Sequence, residues 1–307
     1  MAKEIDLNGK SILVTGGTGS FGQAFVRHVI SNYKPKKLII YSRDEAKQVD
    51  MEAQYGLREY PFLRYFIGDV RDVSRLEMAM NSGVDIVVHT AALKHVPVAE
   101  YNPFECINTN IHGTENVIRA AIRNGVRRVM ALSTDKAVNP INLYGATKLA
   151  AEKLIVAANN LSGDSGARFA VCRYGNVVGS RGSVVPFFDR LIREGATELP
   201  ITDERMTRFW IRLEDGVKFV LTSLEMMEGG EIFVPKLEGT RVMDVAEAMA
   251  PQLKRNIVGI RPGEKIHEWL LSPDESRMTY DVGDRYVVQP AMTFWQAEQP
   301  VRGGRAV

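Results

Sequence analysis

Cysteine is scarce in this chain, which has only two, Cys106 and Cys172, in 307 residues. Two thiols in unrelated sequence contexts provide neither a disulfide framework nor the paired spacing of a zinc site. The five histidines are likewise scattered and make no metal-ligand spacing. We therefore expect two buried thiols and no metal chemistry.

Long apolar runs and an excess of charge of one sign are also missing. No stretch approaches the roughly 20 apolar residues that cross a bilayer, and the N-terminus has no apolar signal core, so we expect a cytoplasmic protein. The net charge of +2 gives no reason to expect a nucleic-acid partner. What is present, 45% hydrophobic and 25% charged residues, is ordinary for a globular chain with ample core.

Short β-branched runs alternate with amphipathic stretches through the N-terminal half, a pattern typical of a parallel α/β sheet. The predicted fold is α/β, a Rossmann-type doubly wound parallel sheet with a smaller C-terminal substrate-binding region. We predict strands at 11–15, 37–41, 63–67, 86–90, 128–133, 168–174, 209–212 and 231–234. We predict helices at 22–31, 73–80, 103–124, 144–161, 186–194, 217–227, 243–250 and 265–271. The predicted domains are 1–175 with 213–238, and 176–212 with 239–307.

A glycine-rich turn follows the first predicted strand and opens the first helix. Gly16 permits a tight turn, Gly19 lets the backbone approach a pyrophosphate, and Gly22 allows close packing of helix and strand. A lone glycine motif is weak evidence, but this one falls at the first βα junction of a chain with further strands. Its G-x-x-G-x-x-G spacing is similar to that of short-chain dehydrogenases/reductases.

The second predicted strand is followed by Ser42, Arg43 and Asp44. Residues at this position in dinucleotide-binding folds bind the ribose of the cofactor. An arginine here suits a 2′-phosphate, so we favour NADP over NAD. The alternative is that Arg43 is a solvated surface residue and that Asp44 binds the ribose. Asp69 closes the third strand, where it can meet the adenine, and the small Ala91 after the fourth strand leaves room for the cofactor.

Two acid–base pairs follow the fifth predicted strand. Tyr144 and Lys148 are four residues apart, which places both on one helix face, and a nearby ammonium favours the phenolate. Asp135 and Lys136 form a second pair. One pair can take a proton from a hydroxyl, and two pairs can also carry out an elimination. The alternative is that Lys136 is an ordinary surface lysine in a loop. The neighbouring Asp135 makes this alternative the weaker one.

Longer motifs carry a more specific resemblance, which runs from about Lys10 to Tyr286. Asn110, Thr134, Tyr144 and Lys148 resemble the catalytic set of the extended short-chain dehydrogenases. Residues 93–97, 134–140, 173–183 and 261–265 resemble the inverting UDP-N-acetylglucosamine 4,6-dehydratases, a polysaccharide-biosynthesis group of that family. The resemblance implies a hydro-lyase that uses NADP, forms a homo-oligomer (a hexamer in the family) and starts pseudaminic acid biosynthesis.

The implied chemistry assigns a role to each pair. Tyr144, supported by Lys148, would take the proton of the sugar C4 hydroxyl while hydride passes to NADP⁺. Lys136 would then remove the C5 hydrogen and Asp135 would protonate the departing C6 hydroxyl, after which hydride returns to C6 and C5 is reprotonated on the opposite face. The product would be UDP-2-acetamido-2,6-dideoxy-β-L-arabino-hex-4-ulose.

Three alternatives to this function stay open. In the related dTDP-glucose dehydratases a glutamate stands where this chain has Lys136. Retaining UDP-N-acetylglucosamine dehydratases typically have methionine in place of Tyr144 and carry membrane spans, and a 4-epimerase would not need the Asp135–Lys136 pair. The alternatives are a retaining dehydratase, a 4-epimerase on a UDP-sugar, and a dinucleotide-sensing module without catalysis.

The predicted sites combine these observations. A diphosphate requires positively charged groups that can make two hydrogen bonds at once, for which arginine is suited. The alternative is that Arg208 pairs with Glu204 and Arg261 with Glu264. The predicted cofactor residues are Gly16, Thr18, Gly19, Ser20, Phe21, Gly22, Ser42, Arg43, Asp44, Lys47, Asp69, Val70, Ala91, Lys94, Tyr144, Lys148, Val177 and Arg181. The predicted substrate residues are Lys94, Asn176, Arg181, Val184, Thr202, Arg208, Arg261 and Glu264. The resemblance implies that Lys94 and Asn176 reach the substrate and that Val184 and Thr202 line the uridine side.

Overall fold

The computed structural model describes residues 3–163, 166–180, 182–291 and 304–307. In chain order the strands are β1 (Ser11–Thr15), β2 (Lys37–Ser42), β3 (Leu63–Ile67), β4 (Ile86–His89), β5 (Arg128–Thr134), β6 (Arg168–Tyr174), β7 (Asn176–Val177), β8 (Glu198–Ile201), β9 (Thr207–Ile211), β10 (Ile232–Pro235), β11 (Gly239–Arg241), β12 (Lys254–Ile257), β13 (Thr279–Asp281), β14 (Arg285–Val288) and β15 (Arg305–Ala306).

The helices lie between these strands in an order that leaves most strands parallel. They are α1 (Ser20–Asn32), α2 (Glu45–Gln54), α3 (Val73–Met80), α4 (Val96–Tyr101), α5 (Pro103–Ile107), α6 (Gly113–Arg123), α7 (Leu143–Leu161), α8 (Val184–Arg193), α9 (Leu213–Met226), α10 (Val242–Met249) and α11 (Pro273–Ser276). No helix among the described residues is both long and apolar enough to span a bilayer.

The main sheet has ten strands in the order β15-β13-β14-β10-β6-β5-β4-β1-β2-β3. From β10 to β3 neighbouring strands are parallel, and the order reverses between β1 and β4. In such sheets ligands bind at the carboxyl ends of the strands, next to the point of reversal. The predicted α/β fold is therefore confirmed.

Alternate residues of the strands pack on opposite faces of this sheet. Ile12 and Val14 of β1 belong to one buried cluster, together with residues of α1 and α9. Leu13 belongs to a second cluster, with residues of α3, α6 and α7 on the other face. Since both faces are covered by helices, β1 is buried along its whole length, and the loop after it is held between two packed layers.

A second region has its own small core. The sheets β11-β9-β7 and β12-β8 surround a cluster that includes Phe188, Leu199, Ile201 and Met206. The predicted domain boundaries stay a prediction. Strands β13 to β15 lie in the range predicted for the second region and pair with the main sheet.

The predicted strands of the main sheet are confirmed, with ends shifted by no more than one residue. The helix predicted at 265–271 is wrong, because that segment is extended along β9. The amide of Thr207 donates to the carbonyl of Ile266 at 3.0 Å, and His267 forms a parallel bridge with Thr207. Pairing with β9 thus overrides the local helical pattern. Both cysteines are buried free thiols, as predicted.

Candidate active site

The loop between β1 and α1 fits a dinucleotide pyrophosphate because it leaves no room for side chains. Gly16 has φ of +65°, and a Cβ there would lie 2.8 Å from Thr90 Oγ1 and 2.9 Å from the Ala91 amide. A Cβ on Gly22 would lie 2.5 Å from the Cα of Gly17. Among the described residues no side chain caps α1 at Gly19, so its first amides are available to an anion.

The ends of β2 and β3 form the predicted ribose and adenine edge. Arg43 is half exposed, and its Nη1 lies 3.7 Å from Asp69 Oδ2. Asp69 also pairs with Arg71 at 2.7 Å. Burial would raise the pKa of Asp69, but the hydrogen bonds from Arg71 and the charges of both arginines lower it overall. Asp69 is thus held as a carboxylate against cations.

Asp44 has a structural task at this edge. Its carboxylate caps α2 by accepting the amide of Lys47 at 3.1 Å, and it forms an ion pair with the Lys47 ammonium. Ser42, by contrast, faces the glycine loop, where its Oγ lies 2.7 Å from Thr18 Oγ1. The carboxylate that could mark an NAD site is therefore engaged by α2, and Arg43 is the more exposed neighbour.

Asn110 ties two parts of the site together from a single π-helical turn, Asn108–His112. Its Oδ1 accepts the Leu93 amide at 2.8 Å, and its Nδ2 donates to the Leu93 carbonyl at 2.9 Å and to Thr147 Oγ1 at 3.0 Å. Turns of this kind are frequent at functional sites. Asn110 thereby fixes the loop after β4 against α7, the helix that carries Tyr144.

Tyr144 and Lys148 are both buried on α7, and burial acts on the pKa of each. Burial, followed by the charge of Asp135, raises the pKa of the Tyr144 phenol. Burial lowers the pKa of Lys148 to about 8, against the charge of Glu152. The Lys148 Nζ donates to the Leu132 carbonyl at 2.6 Å. Burial thus opposes both charges, and the favouring of the phenolate by the nearby Lys148 ammonium stays a prediction.

The second acid–base pair lies in a 3-10 turn, Asp135–Ala137, that follows β5. Lys136 Nζ donates to Asp135 Oδ1 at 3.0 Å and to Asn176 Oδ1 at 3.1 Å. Thr134 Oγ1 donates to the same Asp135 oxygen at 2.9 Å. Asp135 is fully buried, and its Oδ2 has no hydrogen-bond partner among the described residues. Lys136 is thus no solvated loop lysine.

Gly145 explains why the two pairs can lie together. A Cβ at this position would lie 2.2 Å from the carbonyl oxygen of Lys136, so only glycine lets the 3-10 turn pack against the start of α7. The side chain of Asn142 caps α7 by accepting the Gly145 amide at 2.7 Å. The sequence places the pairs near each other along the chain, and this contact brings their backbones together.

Glu268 also belongs to the site and was missed by sequence reasoning. Its Oε1 lies 3.5 Å from Lys136 Nζ, and its Oε2 lies 3.5 Å from Lys265 Nζ. It follows the predicted motif 261–265 closely in the chain, and that proximity was the available signal. The wrong helical assignment of 265–271 hid it.

The predicted substrate residues differ in their burial and in their hydrogen-bond partners. Arg208 is buried and donates to the carbonyls of Thr207 and Ile266 at 2.7 and 3.2 Å, so it is no surface partner of Glu204. Desolvation, followed by the charge of Lys136, lowers the pKa of Lys94. Arg181 lies outside the described residues.

The loop with Arg261 and Glu264 is docked on the N-terminal end of α7. Asn142 Nδ2 donates to the Gly263 carbonyl at 2.8 Å, and a Cβ on Gly263 would lie 3.1 Å from Val96 Cγ1. The side chain of Arg261 is exposed. Val184 and Thr202 sit farther out in the second region: Val184 packs on its core, and Thr202 Oγ1 donates to Met206 Sδ at 3.2 Å.

The geometry can be compared with known proteins. Residues 12–290 match the family described as polysaccharide biosynthesis protein. The chain is 61% identical over 287 residues to a UDP-N-acetylglucosamine 4,6-dehydratase (inverting) of Campylobacter jejuni, which covers 94% of this chain and 85% of that protein. It is 43% identical over 284 residues to a UDP-glucose 4-epimerase of Rickettsia canadensis, with coverage of 90% and 82%.

A solved structure is similar over nearly the whole chain. The X-ray structure of Pen from Bacillus thuringiensis superposes with a TM-score of 0.89 at 37% identity, and the match covers 94% of this chain and 90% of that one. The fold and the arrangement of strands around the site are therefore shared with an experimentally determined relative.

Proposed function

We propose that this chain removes water across C5 and C6 of UDP-N-acetylglucosamine with inversion at C5. The chain belongs to the polysaccharide biosynthesis family and, within it, to the inverting UDP-N-acetylglucosamine 4,6-dehydratases of the extended short-chain dehydrogenases. The product would be the 4-keto-6-deoxy sugar, and the reaction would open the pseudaminic acid pathway.

One observation carries this proposal: two acid–base pairs share one site. The Lys136 carbonyl would be 2.2 Å from a Cβ on Gly145, the residue that follows Tyr144, so the turn with Asp135 and Lys136 lies directly on the helix start. A reaction that only moves a proton at C4 needs the pair on α7 alone. The second pair is what elimination requires.

Tyr144 takes the proton of the C4 hydroxyl in this proposal. The raised pKa of its phenol means that the phenolate forms only when positive charge is added nearby. Lys148, with its pKa lowered to about 8, can accept or release a proton close to neutral pH. The two groups can therefore pass the C4 proton along α7 without a permanently charged phenolate.

Lys136 and Asp135 carry out the elimination. Lys136 removes the C5 hydrogen, which the neighbouring C4 ketone makes acidic, and Asp135 protonates the C6 hydroxyl as it leaves as water. Asp135 Oδ2 is buried and makes no hydrogen bond to any described residue, so it can hold the proton that it donates. Asn176 Oδ1, 3.1 Å from Lys136 Nζ, orients the base.

The residues that would hold the cofactor are those of the glycine loop and the β2 edge. The close approaches at Gly16 and Gly22 leave a backbone cradle of the kind that binds a pyrophosphate. When bound, the dinucleotide would supply a reversible hydride acceptor and, in its oxidised form, a positive charge. We propose NADP, because Arg43 is exposed at this edge while Asp44 is engaged in capping α2.

Replacing Arg43 with alanine tests the cofactor preference. We expect the dissociation constant for NADP to rise about 10–100-fold, since a charge-assisted contact to the 2′-phosphate is lost. The dissociation constant for NAD is the internal control and should change little. Fluorescence titration of reduced cofactors measures both. Equal weakening of NADP and NAD would contradict the assignment of Arg43 to the 2′-phosphate.

Incubation of the purified protein with UDP-N-acetylglucosamine tests the proposed reaction. We expect mass spectrometry to show loss of one water with no net consumption of NADPH. Proton NMR in D₂O should show deuterium at C5 and the inverted C5 configuration. Retention at C5 would indicate a retaining dehydratase, and a product of unchanged mass would indicate the 4-epimerase that the Rickettsia relative's name suggests.

The proposal includes a homo-oligomer with the UDP-sugar as its small-molecule partner. Helices α4 and α5 expose large apolar side chains, with Val98, Tyr101 and Phe104 at 52%, 87% and 77% exposure. Clustered apolar residues of this kind mark protein contact surfaces, and they support assembly with further copies. A hexamer is what the family resemblance implies.

A further inference from the structure

Glu268 is a buried carboxylate that the proposed mechanism does not use. Its side chain is 3% exposed, and it lies between two ammonium groups, with Oε1 3.5 Å from Lys136 Nζ and Oε2 3.5 Å from Lys265 Nζ. Lys265 itself donates to the Val138 carbonyl at 2.6 Å. Oε2 of Glu268 makes no hydrogen bond to any described residue.

This arrangement is poor as a purely structural ion pair. A buried charge is tolerated when close hydrogen bonds replace water. The chain offers a comparison in Glu152, which binds Arg173 through both oxygens at 3.0 and 2.7 Å. Glu268 has no such close contacts among the described residues, and a buried carboxylate oxygen without a hydrogen bond costs stability. Its position therefore favours a role in the site.

Four charged or polar groups surround the Lys136 ammonium from separate elements. Asp135 comes from the same turn, Asn176 from β7, and Glu268 from the extended C-terminal segment. Lys94, from the loop after β4, opposes the ammonium with its own charge. If Asp135 carries the proton that it gives to the C6 hydroxyl, Glu268 is the remaining anion within 4 Å of the Lys136 ammonium among the described residues.

We propose that Glu268 is a positioning residue for Lys136: its carboxylate holds the Lys136 amine toward the substrate and provides the counter-charge when that amine takes up a proton. This inference rests on the proposed function for the source of the proton, the sugar C5. The contact itself also links the base to the segment that carries the predicted substrate residues Arg261 and Glu264.

The direction of the charge effect can be worked out. A negative charge within a few ångströms favours the ammonium form of a lysine. Glu268→Gln keeps the shape and removes the charge, so the neutral form of Lys136 should persist to lower pH. Because the neutral amine is the base, the acidic limb of the pH–rate profile should move to lower pH. Its maximum should fall about tenfold, since the protonated product of the step loses its counter-charge.

The experiment reads the protonation of Lys136 directly, without depending on turnover. The full chain is labelled with acetic anhydride across a pH series, and acetylation of Lys136 is quantified by peptide mass spectrometry. We expect the labelling midpoint in Glu268→Gln to lie below that of the wild type. Glu268→Asp, which keeps the charge, should have a labelling midpoint between those of Glu268→Gln and the wild type.

Glu238→Gln is the matched control, because Glu238 is an exposed carboxylate on the wall of the same cavity of about 540 Å³ that Glu268 lines. Its labelling midpoint should equal that of the wild type. An unchanged midpoint in Glu268→Gln would overturn the inference, even if the variant melts at lower temperature. If the midpoint shifts while the wild type releases no water, the proposed function fails and the positioning of Lys136 stands.

Discussion

The Lys136→Arg protein is expected to fold like the wild type and to release water from UDP-N-acetylglucosamine about 10²–10⁴-fold more slowly. Arginine keeps the positive charge between Asp135 and Glu268, both of which lie within 3.5 Å of the Lys136 Nζ. It stays protonated at any working pH, so it cannot take the C5 hydrogen. The initial rate of water loss, followed by mass spectrometry, measures the effect.

Two further variants separate the roles of the pairs. Lys136→Ala should lose dehydration to the same extent, and reduced nicotinamide should accumulate in its absorbance spectrum because the step after C4 oxidation is blocked. Tyr144→Phe should show neither dehydration nor reduced nicotinamide. A melting temperature close to that of the wild type excludes unfolding. Full turnover by Lys136→Ala or Lys136→Arg would show that Lys136 is not the base.

Local sequence patterns were sufficient to predict the glycine-rich turn between β1 and α1 and the strands around it. Gly16 and Gly22 lie where a Cβ would strike Thr90 or Gly17, and a turn of this kind is encoded within a few neighbouring residues. Strand β1 is buried throughout, and its three central residues, 12–14, form a continuous apolar run. In such segments the local preference and the tertiary environment agree.

The electrostatics of the site could not be read from spacing. Four-residue spacing places Tyr144 and Lys148 on one face, but the depth of burial decides their charge. That depth depends on the layers on both sides of the sheet. Glu268 is a second case, because its contact with Lys136 joins segments far apart in the chain. The segment that carries it is extended by pairing with β9, which no pattern within 265–271 announces.

Arg173 makes a set of buried contacts between distant segments that sequence reasoning did not anticipate. It lies on β6 and is 1% exposed. It binds Glu152 of α7 at 2.7 Å and Glu275 of α11 at 2.8 Å, and it also donates to the Leu270 carbonyl at 3.0 Å. One guanidinium thereby joins the helix of Tyr144 and Lys148 to the C-terminal segment that supplies Glu268. The short helix α11 is fixed in turn by a capping box at Ser272.

Replacing Arg173 with methionine is expected to lower the free energy of unfolding by about 3–5 kcal/mol, because the buried carboxylate of Glu152 and the partly buried carboxylate of Glu275 are left without a cation between them. Urea denaturation followed by circular dichroism measures the loss. Arg193→Met is the matched control: Arg193 is 74% exposed and pairs with Asp189 one turn away on α8, so its removal should cost less than about 1 kcal/mol.

The pH dependence of the Arg173→Met loss distinguishes lost charge pairing from lost packing. Burial would raise the pKa of Glu275, but the hydrogen bond and charge of Arg173 lower it overall. In the wild type this contribution is present above the ordinary glutamate pKa of about 4.3 and is lost as the pH falls through the lower folded value. In Arg173→Met the Glu275 carboxyl loses the partner that lowers its pKa, so the stability deficit should shrink as the pH falls below about 4.3. A deficit that stayed constant with pH would assign the loss to packing.

The triple variant Arg173→Met, Glu152→Gln, Glu275→Gln tests the same distinction. It should recover most of the lost stability if the carboxylates left without Arg173 are the cause, and none if the cause is lost packing.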